Sequence, residues 1–160
     1  MKMAFIGLND LEGVEADAAF AAEHGFEGLE YNYWGNFAEL TADTVKRMRE
    51  ALDRHGAACA ALGLWGWNHL SPDPDEQKTS LGHLDRAIDF ATTLGADVLI
   101  TGGGDIPDAD PEAKADAFAE VFPPYIDRIQ DAGLTLALYP VHGNSFYQGI
   151  ADYQRVWERG

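Results

Sequence analysis

Short apolar runs along this chain alternate with longer segments in which apolar residues recur every three or four positions. Met3 to Leu8 is a short apolar run closed by Asn9-Asp10, and it reads as a buried strand. Val14 to His24 is alanine-rich and acidic at its start, which suits a helix N-terminus. Gly25 follows as a C-cap, and Phe26 to Tyr31 reads as the second strand, running out into Asn32 and Trp34. Thr41 predicts an N-cap for a helix whose Val45, Met48 and Leu52 share one face. His55-Gly56 closes that helix, and Ala57 to Leu64 is the third strand, leading into Trp65, Trp67, Asn68 and His69. Ser71 to Gln77 reads as a turn-rich loop, with Thr79 or Ser80 capping a helix that presents Leu81, Leu84, Ile88 and Ala91.

Gly95 ends that helix, and Asp97 to Thr101 is the fourth strand, opening into Gly102-Gly103-Gly104-Asp105. Asp110-Pro111 places aspartate at N-cap and proline at the first helical position. Phe118, Phe122, Tyr125 and Ile129 share a face behind it, and Pro123-Pro124 predicts a kink or two consecutive helices. Gly133 stops the helix, and Leu134 to Leu138 is the fifth strand, passing into a loop that holds Tyr139, His142, Asn144 and Ser145. Ile150 to Glu158 reads as a last helix. The helix-ending glycines Gly25, Gly56, Gly95 and Gly133 stand 31, 39 and 38 residues apart, each followed at once by a strand. That is a βα repeat of five units, and it predicts a parallel sheet with right-handed crossovers.

Composition narrows the picture. At 160 residues and 46% hydrophobic, the chain suits one globular domain over 1–160. No apolar run approaches the roughly 20 residues that span a bilayer, so no membrane partner is expected. The start, MKMAFIGLND, is too short for a signal peptide, and a cytoplasmic protein is expected. The net charge of -16 repels nucleic-acid backbone and argues against DNA or RNA as a partner. It fits either a surface suited to high salt or ordinary acidic helix faces. Cys59, the single cysteine, forms no internal disulfide. No Gly-x-Ser-x-Gly elbow is present, and Cys59 lies within a strand, which disfavours a nucleophilic hydrolase.

The phrases EHGFEGLEY, SLGHLDRAIDFATTLGADVLI and DAGLTLALYPVHGNSF, in this order and spacing, resemble the sugar phosphate isomerase/epimerase family. This is the xylose isomerase-like TIM barrel superfamily, which also holds the AP endonuclease barrels. The resemblance implies a (β/α)8 barrel with its site at the carboxyl ends of the strands. It also implies a divalent metal (Mn, Mg, Co or Zn) that assists proton transfer between neighbouring carbons of a sugar or sugar phosphate. Such a barrel typically takes about 250 residues, so five βα units read as its N-terminal portion, truncated at the C-terminus. The family carries a metal-binding glutamate at the end of strand five, and here Tyr139 holds that place. Tyrosine is a poor ligand for Mg or Mn, which leaves His69 or His142 as metal candidates.

Glu30, at the end of strand two, and His142 are the catalytic candidates, a carboxylate and an imidazole suited to moving protons. Trp65, Trp67, His69, Asp105 and Asn144 are the substrate-binding candidates, because aromatic faces stack on a sugar and polar groups bond its hydroxyls. The plain alternatives are a strand-end carboxylate bonded to backbone, surface loop histidines, tryptophans in the core (Trp34 among them) and a turn-forming aspartate. The three glycines before Asp105 would let backbone approach a ligand closely. His24, His55 and His83 read as structural. Two open sheet edges are expected to make the isolated chain marginally stable or a homo-oligomer, and inactive alone. The alternative functions are a non-catalytic sugar-binding barrel and an AP endonuclease-like phosphodiesterase, which the acidic surface opposes.

Overall fold

The computed structural model of the chain describes residues 3–140 and 145–159. Its elements run β1 (Ala4–Ile6), α1 (Leu11–His24), β2 (Gly28–Tyr33), a short 3-10 helix (Gly35–Glu39), α2 (Ala42–His55), β3 (Ala58–Leu64) and α3 (Pro74–Leu94). They continue through β4 (Val98–Thr101), α4 (Pro111–Val121), α5 (Pro123–Asp131), β5 (Thr135–Leu138) and α6 (Ile150–Trp157). The five strands form one sheet in the order β1-β2-β3-β4-β5, every neighbouring pair parallel. This is an α/β fold whose sheet runs in chain order, as the βα repeat predicts and as the first five strands of a barrel do.

Gly25, Gly56 and Gly95 cap α1, α2 and α3 in the left-handed conformation. Thr41 and Asp110 accept hydrogen bonds from Thr44 N and Ala113 N as N-caps. At Pro123 the chain takes the second of its two expected courses: α4 closes at Phe122 and α5 begins at once. Several boundaries differ: β1 is shorter than its apolar run, α1 starts at Leu11 behind the Asp10 cap, and β2 runs on to Tyr33, which sets Glu30 within the strand rather than at its end. The largest difference is at the third long helix. α3 starts at Pro74, capped by the Asp73 carboxylate, which accepts from Asp75 N and Glu76 N. The Asp-Pro signal that starts α4 therefore also starts α3 within the segment read as loop, and Thr79 instead bonds back to the Asp75 carbonyl inside the helix.

One face of the sheet is closed by helices. Leu29, Tyr31 and Tyr33 of β2, Leu62 and Leu64 of β3 and Leu99 of β4 are buried there against Val14, Met48, Leu52, Leu84 and Ile88. Arg86 of α3 ties the 3-10 helix to this layer, donating to the Leu40 carbonyl at 2.5 Å with its guanidinium over the rings of Phe37 and Phe90. Cys59 is buried there as well; burial pushes its thiol up to about 12. Among the described residues, no helix is long and apolar enough to cross a membrane.

Candidate functional site at the carboxyl ends of the strands

The strand register stacks the opposite, concave face in layers. Ile6, Glu30, Ala61, Val98 and Thr135 pair across the five strands in one layer. Two residues on, Asn32, Gly63, Ile100 and Ala137 form the next. A third layer stands just past the strand ends: Trp34, Trp65, Gly102 and Tyr139. The ladder reaches it through Trp65 N to the Tyr33 carbonyl (2.9 Å) and Tyr139 N to the Thr101 carbonyl (3.0 Å). Such layers fill the interior of a barrel, and the outermost one faces the ligand end. Glu30 is the one charged residue in these three layers.

A chain of hydrogen bonds fixes Glu30. The Trp65 indole can only donate, and its Nε1 gives a 2.5 Å bond to Asn32 Oδ1. That bond sets the amide orientation, so Asn32 Nδ2 points down to donate to Glu30 Oε1 at 2.8 Å. Asn9, past the end of β1, donates to the Asn32 carbonyl at 2.6 Å and accepts from the Tyr33 hydroxyl at 3.1 Å. Gly63 makes room for this chain: a Cβ there would lie 2.1 Å from Asn32 Oδ1 and 2.5 Å from Trp65 Nε1. The second Glu30 oxygen has no hydrogen-bond partner among the described residues and is free to accept from a ligand hydroxyl.

The aromatic layer stands two levels above this carboxylate, with the Asn32 layer between. The Trp34 and Trp65 ring centroids are 6.1 Å apart, and those of Trp65 and Tyr139 are 5.7 Å apart, edge to face. Trp65 is 8% exposed between its neighbours, whereas Trp34 is 52% and Tyr139 59% exposed. Asn32 as the hub, and Trp34 and Tyr139 as exposed rings, escaped the sequence reading. Their signal is the alternation Glu30-x-Asn32-x-Trp34, which places all three on one face of a strand.

The remaining candidates lie elsewhere. Trp67 packs half-buried against the core, its ring 4.0 Å from that of His83 on α3. His69 is fully buried on the helix side, its Nε2 3.1 Å from Thr101 Oγ1 and its ring beside Phe122. Burial pushes its imidazole down to about 4 and holds it neutral. Asp105 forms a 2.7 Å ion pair with Lys114, and its backbone exchanges two 2.9 Å bonds with the Asn68 side chain. The glycines before Asp105 admit the protein itself: a Cβ on Gly103 would strike the Tyr147 hydroxyl, and one on Gly104 the Asn68 side chain. His142 and Asn144 lie outside the described residues.

Among the described residues, no three His, Cys, Asp or Glu side chains converge on one point. Glu30 is the one charged residue of the described concave layers, Asp105 is paired with lysine, and Tyr139 occupies the tip of β5. These donors do not fit the divalent cation that the sequence resemblance implies. A cleft of about 500 Å³ beside β5, lined mainly by Leu138, Ile150, Tyr153, Val156 and Trp157, is apolar and lacks converging polar groups. The chemistry available to the described residues therefore gathers at the strand tips.

No curated protein matches the chain. It is similar in structure to an L-ribulose 3-epimerase (16% identity, TM-score 0.77, covering 99% of this chain and 57% of that one). It is also similar to a D-psicose 3-epimerase solved in the presence of D-fructose (14%, 0.73, 98% and 60%). A third similar structure is an AP endonuclease, family 2, from Brucella melitensis (18%, 0.68, 98% and 65%). The chain thus spans about six tenths of the length of these proteins. Its residues 18–159 match the family model described as xylose isomerase-like TIM barrel, and the chain belongs to that family.

Proposed function

We propose that the chain forms the strand-one to strand-five part of a carbohydrate isomerase or epimerase site. In this reading Glu30 accepts from a sugar hydroxyl or takes the proton next to the carbonyl, and returns it to a neighbouring carbon or to the opposite face. The observation that carries the reading is one carboxylate, anchored at one oxygen by Asn32 and open at the other, under an aromatic layer at the ligand end of a parallel barrel sheet. His142, four residues past the end of β5, is the second proton-transfer candidate. Deprotonation beside a carbonyl builds charge on the carbonyl oxygen. The described residues offer no cation there, so the 160 residues are proposed to bind sugar without turning it over. A non-catalytic sugar-binding barrel is the second reading, favoured by Tyr139 at the tip of β5 and by the absence of converging metal donors among the described residues.

The test is NMR of the chain with D-fructose in D2O. Saturation transfer to the sugar is expected, with no deuterium entering its carbon-bound positions. Glu30→Ala should weaken binding about tenfold or more, the scale of a hydrogen bond to a charged group. Binding indifferent to Glu30 would remove its role, and deuterium incorporation by the chain alone would overturn the claim of inactivity.

A further inference from the structure

We infer that the strand-tip site takes an uncharged, unphosphorylated sugar ring, laid by its apolar C–H face against Trp34, Trp65 and Tyr139 above Glu30. This rests on the carbohydrate reading and narrows it, from sugars and sugar phosphates together to neutral sugars alone.

The first support is the shape of the aromatic layer. Trp34, Trp65, Gly102 and Tyr139 stand at one level across four strands. Gly102 contributes no side chain, so Tyr139 reaches Trp65 across β4. Packing accounts for Trp65, which is covered by both neighbours, but not for the two large rings left about half exposed on either side of it. Tyr31, Tyr33, Phe37, Phe122 and Tyr147 are buried, and the other exposed rings, Phe20 and Trp157, lie one each on helices α1 and α6, away from the strand tips. A pair of exposed rings two levels above a carboxylate oxygen that can accept a hydroxyl matches both faces of a sugar: C–H groups for the rings, O–H groups for Glu30.

The second support is charge. A phosphate needs a cation or a free helix N-terminus. Every lysine and arginine among the described residues lies on a helix or just past α6. Lys114 reaches a strand-end loop only to pair with Asp105. Four helix N-termini already hold a carboxylate: Asp10, Asp73 and Asp110 cap α1, α3 and α4, and Asp152 accepts from Gln148 N and Gly149 N at the start of α6. The Thr41 hydroxyl caps α2, and α5 opens on two prolines with Tyr125 N and Ile126 N donating to the Phe122 carbonyl. A phosphorylated sugar would meet Glu30 inside a chain of net charge -16, with no lysine or arginine of the described residues on this face.

Titration of the chain with D-fructose and with D-fructose 1-phosphate, both able to close as pyranoses, separates these supports. Affinity is read by tryptophan fluorescence or saturation-transfer NMR. D-fructose is expected to bind, with saturation strongest at ring C–H protons. Trp34→Ala and Tyr139→Ala should each weaken it about three- to tenfold, while Tyr139→Phe keeps the ring and stays within about twofold. Circular dichroism checks that the variants fold. The 1-phosphate should bind at least about tenfold more weakly at low salt. Undiminished D-fructose binding by both alanine variants overturns the aromatic platform and leaves the carbohydrate reading standing. Equal or tighter binding of the phosphate overturns the neutral-sugar assignment and leaves the platform. No sugar binding by the wild-type chain overturns both, together with the reading they rest on.

Discussion

The two faces of the β-sheet are built from the same strands and behave as different surfaces. On the helix side, Leu29, Tyr31, Leu62 and Leu99 are wholly buried against α1, α2 and α3. On the concave side, Ile6 of the same sheet is 67% exposed, and Leu8 and Tyr139 stand open with it. The first face is completed by the chain's own amphipathic helices. The second is completed only at its ligand end, where polar and aromatic side chains hold one another. Stability therefore resides on one side of the sheet and the proposed recognition site on the other.

The largest effect that tests this contrast is a matched pair of truncations. Leu29→Ala should cost about 2–5 kcal/mol, as deletions in a tight core do. Ile6→Ala should stay within about 0.5 kcal/mol, as at an exposed position. Urea denaturation measures both, and equal losses would break the comparison.

The next effect is acid sensitivity on the buried side. His69 titrates near 6.5 when unfolded, whereas burial pushes it down to about 4 in the fold. Below pH 6.5 the unfolded chain binds a proton that the folded chain refuses, so stability present above 6.5 is lost progressively down to pH 4. At ~1.4 kcal/mol per pH unit, the loss approaches ~3 kcal/mol. His69→Gln should flatten the profile between these values, and a wild-type profile no steeper than the variant's would refute the assignment.

The smallest effect belongs to the concave side. Gly63→Ala should cost about 1–3 kcal/mol by forcing Asn32 and Trp65 apart. It should also shift tryptophan emission as the indole loses its bond. Unchanged emission would show that Trp65 is held by packing alone.

The sequence made the helix side legible and left the concave side partly hidden. Glycine caps at positions 25, 56 and 95, the Thr41 and Asp110 N-caps and the break at Pro123 are local signals, and each stands where the pattern put it. The start of α3 was missed because prolines and aspartates mark loops and helix starts alike. Glu30 stood out as the carboxylate of strand two, but β2 continues to Tyr33 and sets it inside the strand rather than at the end expected for it. Asn32 did not stand out, because its importance comes from Trp65, 33 residues away. His69 and Trp67 looked like ligands by company, since both neighbour Trp65 in sequence. Which side of the sheet each one takes is decided by packing against Phe122 and His83.

The glycine beneath the Asn32–Trp65 bond also limits how this site can change over generations. Positions 32, 63 and 65 are coupled as a set: a larger residue at 63 is tolerated only once the amide, the indole or both have gone. A drift that enlarges Gly63 first loses the grip on Glu30 before it gains anything. Relatives that keep an asparagine and a tryptophan at these two places are therefore expected to keep the glycine between them, and relatives that have lost it should anchor their carboxylate another way.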